Sequence, residues 1–202
     1  ALEAETEFRD VGTYNVYAYP HPETITLPKY LKGVKRVTNL GLVLPPTYAE
    51  LIKGMVRLGI TDEEPLEVQG RKVIPLEFAV AFILSQRDRL TKEAGLSQAM
   101  GCLKIVVKGY KNGDKNTYVF SMSSRGQGMG EGTGVPAALG AILMATGKIE
   151  EKGVCPPEGC VNPMDVVELA QTKVSIGGKT GFPIVIEHID KNGKLEKLDL
   201  LS

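Results

Sequence analysis

Residues 124–149 read SRGQGMGEGTGVPAALGAILMATGKI, and the fold of the chain turns on how this stretch is read. Glycine falls at every second position from Gly126 to Gly134, and residues 135–146 then run without a single charge before Gly147 and Lys148. The pattern predicts a flexible loop feeding a buried helix. Pro136 suits the first helical turn, where its missing N–H has no partner to lose, with Thr133 or Gly134 as the cap. Gly147 is a natural stop, and Lys148 complements the negative end of the helix dipole. Val135, Leu139, Ile142 and Leu143 lie on one face while Ala137, Gly140, Ala141 and Ala145 fill the rest. The helix is therefore expected to be covered on every side, with close backbone approach along its small residues.

A glycine loop ahead of a helix also raises the question of a phosphate cradle. The spacing argues against one. G-x-G-x-x-G requires a third glycine where the chain has Glu131, or Thr133 in the alternative register, and no G-K-S/T follows for a Walker sequence. Glu131 would also set a negative charge among the phosphate ligands. A hinge or substrate-closing loop is the better reading.

Outward from this stretch, the chain of 202 residues is long enough to enclose a core. Its 24 Lys and Arg balance 24 Asp and Glu, so charge favours neither nucleic acid nor an anionic membrane as partner. No apolar run reaches membrane-spanning length. Cys102, Cys155 and Cys160 do not make an even disulfide framework, and with only His21 and His188 besides, a zinc site at C-x4-C is poorly supplied. Free thiols in a reducing, cytoplasmic setting are expected. A thiol nucleophile at Cys102 or Cys155 has no histidine placed for it. The acidic start ALEAETEFRD is no signal peptide, and without an initiating methionine it suggests a trimmed chain or a domain of something longer.

Residues 13–19 alternate as a strand. Prolines 20, 22 and 28 then predict irregular backbone over 20–33. A second strand is expected over 34–44, with polar Thr38 and Asn39 at its middle. Pro45 and Pro46 open a helix that stops at Gly59, a surface connection follows over 58–75, and a helix over 76–90 carries Phe78, Ala79, Phe82 and Ile83 inward. The clearest hairpin joins 103–110 to 117–122 through Asn112 and Gly113. Asn162 and Pro163 begin a short helix, and 174–176, 184–189 and 195–200 form a closing meander. Without β-α alternation, the fold class is α+β with a mixed, largely antiparallel sheet covered by helices.

Candidate chemistry is sparse. His21, beside Glu23, is either an exposed polar residue or a ligand and proton-transfer group. His188 is expected on the solvent face of its strand. Arg36, Thr38 and Asn39 suit a bound carboxylate and amine, or equally the polar face of a strand. Arg125 is either a carboxylate clamp or a surface charge.

The order YPHPET, VKRVTNLGLVLPPTYAELIKGMVRLGI, KIVVKGY, GMGEGTGVPAALGAILMATGKI and GVCPPEGCVNPMDVVEL resembles the C-terminal, substrate-binding part of the saccharopine dehydrogenase family. The resemblance covers the chain to about residue 170, most specifically in TGVPAALGAILMATGKI and the PPE and NP segments after it. It implies that residues 1–202 are a substrate-binding and dimerisation domain. NAD or NADP would be held only by an N-terminal Rossmann domain absent from this chain, and the isolated domain would be inactive. The implied reaction is hydride transfer to or from the C–N bond of an amino acid of the lysine or saccharopine type, in a homodimer of lysine metabolism. It further implies substrate contacts at Thr38 and Asn39, a pocket bordered by Tyr19, His21 and Glu23, and closure near Thr133. Where the saccharopine reductases of that family carry an arginine in their tyrosine-proline loop, this chain reads Tyr19, Pro20, His21, Pro22, Glu23 and has none. The alternative is a free-standing binding or assembly module without catalysis.

Overall fold

The computed structural model describes residues 2–95, 99–126, 129–176, 179–180 and 184–199. It is α+β, with antiparallel sheets covered by helices. The first sheet begins with β1 (Glu3–Phe8), a strand not foreseen behind its acidic letters, whose alternate residues Ala4, Thr6 and Phe8 turn inward. It pairs with β2 (Gly12–Ala18), whose Val16 is a buried core residue, and β3 (Leu40–Gly41) adds to the far side of β2. Only these two residues of the expected strand over 34–44 enter the sheet.

Between β2 and β3 the prolines do not prevent a helix. α1 (Glu23–Tyr30) begins just after Pro22 and holds Pro28 near its end. In so short a helix Pro28 removes one ladder bond. The start is secured by Ile25 and Thr26 N–H groups on the Pro22 carbonyl and by the Thr26 hydroxyl on the same oxygen.

α2 (Thr47–Leu58) follows Pro46 and closes, as expected, on left-handed Gly59. The connection after it contains a small hairpin, β4 (Leu66–Val68) and β5 (Arg71–Val73), turned at Gln69 and Gly70 with both φ angles positive. That is the geometry of a two-residue primed turn. α3 (Pro75–Glu93) buries Ala79, but Phe78 and Phe82 stack on each other at 59% and 55% exposure, contrary to the inward placement expected of them.

The second sheet has the order β11-β10-β7-β6. β6 (Met100–Lys111) and β7 (Asp114–Arg125) form the long hairpin, with Asn112 and Gly113 at φ 56° and 84°. β10 (Val185–Ile189) and β11 (Leu195–Leu198) complete it. Leu200, expected in the last strand, lies outside the described residues. The two sheets are tied by Lys104 Nζ, which donates to the Glu7 carbonyl at 2.8 Å, and by the ion pair of Arg9 with Glu187.

α4 (Met129–Ala145) starts well before the predicted helix, so Gly130, Gly132 and Gly134 are helical and Pro136 lies inside rather than in the first turn. Gln127 and Gly128 of the expected loop, and the Arg125 side chain, lie outside the described residues. One side of α4 carries the core: Leu139 packs with Ala170 and Val174, flanked by Val135, Val166 and Leu169. Among the described residues, nothing covers the opposite side. Ala137, Ala138, Ala141 and Ala145 are exposed, with Ile142 at 39% and Met144 at 61%. α5 (Pro157–Cys160) leads to α6 (Pro163–Lys173), which Asn162 caps by accepting from the Met164 N–H at 3.0 Å. β8 (Ser175–Ile176) and β9 (Lys179–Thr180) pair antiparallel ahead of β10.

Candidate functional site

The pairing of β3 with β2 matches Leu40 with Ala18 and so sets the residues before β3 beside the exit of β2. A cleft of about 320 Å³ opens there, lined by Ala18, Tyr19, Pro20, Thr24, Val37, Thr38 and Asn39. Three residues singled out in the sequence, Tyr19, Thr38 and Asn39, are thereby brought together from positions 19 and 20 residues apart. Thr24, from the first turn of α1, and Val37 were not foreseen; the irregular backbone expected over 20–33 concealed the turn that points Thr24 into the cleft. The Tyr19 ring lies over Gly41, where any Cβ would collide with it.

The lining is uncharged. Apolar Ala18, Pro20 and Val37 alternate with a phenol, two hydroxyls and a carboxamide. The Thr24 hydroxyl donates to the His21 carbonyl at 2.8 Å and keeps its lone pairs. The side chains of Thr38 and Asn39 make no hydrogen bond among the described residues. Among the described residues they are donors and acceptors without a partner, beside the apolar Ala18, Pro20 and Val37, which is the composition of a small-molecule site.

His21 and Glu23 flank this lining and share a hydrogen bond, and the Tyr19 and His21 rings meet edge to face at 5.7 Å. Partial burial pushes the Glu23 carboxyl up, but the His21 hydrogen bond, its own backbone N–H and the charge of His21 outweigh that, so it sits below the ordinary carboxylate range. Thr133 is exposed on α4 and is not part of the cleft lining. His188 shares its side of β10 with buried Ile186 rather than facing solvent, bonds the Asn116 side chain at 2.6 Å and stacks on Tyr118.

A second concavity of about 300 Å³, lined by Lys111, Asn112, Asp114, Asn116, Asp190 and Lys191, gathers around two turns. Lys191 pairs there with Asp114 at 3.2 Å, and Asp190 accepts from the Asn192 and Lys194 N–H groups. Those backbone bonds hold Asp190 below its usual range.

A dinucleotide does not fit where β7 leads through glycine into α4. Between β7 and α4, Glu131 stands in the first helical turn and accepts from the Ser124 hydroxyl at 2.9 Å, so a carboxylate occupies the end of the dipole that a pyrophosphate would need. The preceding strand also belongs to an antiparallel sheet, unlike the parallel strand of a dinucleotide fold. Among the described residues, no His, Cys, Asp or Glu side chains gather in a group of three that could hold a metal.

Fold and cleft together describe an α+β domain with an uncharged cleft, and the family comparison gives its class. Residues 2–173 match the saccharopine dehydrogenase C-terminal domain, and the chain belongs to that family. Among curated relatives, carboxyaminopropylagmatine dehydrogenase of Synechocystis sp. is 27% identical over 163 residues, which cover 76% of this chain and 40% of the relative. The chain thus spans less than half the length of that enzyme.

Proposed function

We propose that this chain is the substrate-binding and dimerisation domain of an NAD(P)-dependent oxidoreductase acting on the C–N bond of an amino acid of the lysine or saccharopine type. The observation that carries the reading is the convergence of Tyr19, Thr24, Thr38 and Asn39 on one cleft, with the Thr38 and Asn39 side chains free to bond a ligand. Membership of the saccharopine dehydrogenase family and the dehydrogenase named among its relatives support the reaction class. The coenzyme, bound by another part of the whole cytoplasmic protein, supplies the hydride chemistry. This chain's part is to bind and orient. Thr38 and Asn39 would bond the polar groups of the substrate, the apolar floor would take its methylenes, and the Tyr19 ring, seated on Gly41, would form one wall. His21 and Glu23 would border the pocket, while Thr133 on α4 would face the coenzyme half on closure. With no arginine in the tyrosine-proline loop, recognition of a carboxylate falls to neutral donors, so the substrate need not be saccharopine itself.

In the intact enzyme, Thr38→Val keeps the shape of the cleft and removes a hydrogen bond worth about 1 kcal/mol. The expected result is an amino-acid KM raised about fivefold, with dinucleotide affinity unchanged, since RT ln 5 is about 1 kcal/mol. Equal KM and turnover in the two proteins would remove Thr38 from the site.

A further inference from the structure

Cys155 and Cys160 bracket the turn that leads into α5, and neither is in a disulfide. Both thiols are half-buried, and Cys155 Sγ donates to the Pro156 carbonyl at 3.5 Å. Cys160 Sγ also donates to the Pro156 carbonyl at 3.4 Å and lies 3.9 Å from the Cys155 carbonyl. Cys155 Sγ stands 2.9 Å from the point where Gly159 would carry a Cβ, so it is folded over the residue next to Cys160. Pro156 and Pro157 stiffen the link between them, and the short helix turns Cys160 back toward Cys155. Two sulfurs that meet on one carbonyl across a proline-stiffened six-residue ring are placed to approach each other. The same Gly159 is pressed against the Tyr30 ring at the end of α1, the helix whose first turn supplies Thr24 to the cleft.

From this juxtaposition we infer that Cys155 and Cys160 are a reversible dithiol–disulfide site, and that closing it alters the contact of α5 with α1. Metal binding is a poorer use of the pair, because no third ligand joins it among the described residues. The oxidant is a small-molecule disulfide of the glutathione class. The Cys155 thiolate attacks one sulfur of that disulfide, forming a mixed disulfide and releasing the first thiolate, which takes up the proton that Cys155 gave up. Cys160, as its thiolate, then attacks Cys155 Sγ; the ring disulfide forms and the second small thiol leaves with the Cys160 proton. Two protein thiols are oxidised and one disulfide is reduced to two thiols. Cys160 is the resolving partner. Burial, the Cys155 side chain beside it and the charges of Glu151 and Glu158 hold its thiol above the usual range.

The test treats the folded full chain with oxidised glutathione, digests it under acid quench and identifies cross-linked peptides by mass spectrometry. The expected product is an internal link within the peptide spanning 155–160, two hydrogens lighter, reversed by reduced glutathione and retained in Cys102→Ser. Cys160→Ser should instead stop at a stable glutathione adduct on Cys155. Hydrogen exchange of the oxidised and reduced forms should differ over α1. Absence of the internal link in the folded chain, or a link found only after denaturation, overturns the site. A link with unchanged exchange over 23–30 overturns its connection to α1. Neither result bears on whether the cleft binds an amino acid.

Discussion

At the scale of single residues, the cleft owes its character to groups whose hydrogen-bonding capacity is left open and to one pair that is closed. Thr38 and Asn39 stand open, whereas His21 and Glu23 are bonded to each other beside them. The Glu23 carboxyl is held below its usual range in the folded protein, so its contribution to stability is complete above the unfolded value of about 4.3 and is lost as pH falls through the folded value. Glu23→Gln is therefore expected to lower stability slightly at neutral pH, with the difference from the parent shrinking to nothing in acid. Denaturant unfolding at a series of pH values measures it. A constant difference across the series would mean that the charge of Glu23 is not what matters. The effect is small because both side chains are over 40% exposed.

At the scale of elements, local signals were legible where one turn or cap dictates the outcome. Asn112 and Gly113 specify the hairpin through positive φ at both positions, Gly59 ends α2 in the left-handed region, and Asn162 caps α6. What stayed hidden depended on partners remote in sequence or on weak local terms. Pro28 gave no warning that α1 would form, because at the end of an eight-residue helix a proline removes so little. The acidic letters of β1 concealed a strand whose inward side, Ala4, Thr6 and Phe8, is uncharged, and the hairpin of β4 and β5 was lost because its strands are three residues each. The cleft was half legible: Tyr19, Thr38 and Asn39 stood out as polar residues in awkward places, but their meeting depends on the register of β3 against β2. α4 shows the same limit in reverse, since its composition calls for cover all round and the described residues cover one side. Leu139→Ala should cost about 2–5 kcal/mol by opening a cavity against Ala170 and Val174. Met144→Gln, on the bare side, should change the stability of this chain by less than about 0.5 kcal/mol. Equal losses for the two in denaturant unfolding would show that α4 is buried on both sides in solution.

For the whole molecule, two antiparallel sheets joined at Arg9, Glu187 and Lys104 make a frame with an open cleft at one end of the first sheet. The bare side of α4 and the exposed faces of Phe78 and Phe82 leave apolar surface for other bodies to meet. On the proposed reading those bodies are the coenzyme half and a second copy. Sedimentation of the intact enzyme should accordingly give a dimer, and a monomer at working concentration would remove assembly from the domain's roles. Binding by the cleft is the claim on which the rest stands. Its most direct test is hydrogen exchange of the intact enzyme with dinucleotide present, with and without the amino-acid substrate. Added protection is expected at residues 18–24 and 37–39 and not around Asp114 and Lys191; protection at that second concavity, or none at the cleft under saturating substrate, would contradict the account.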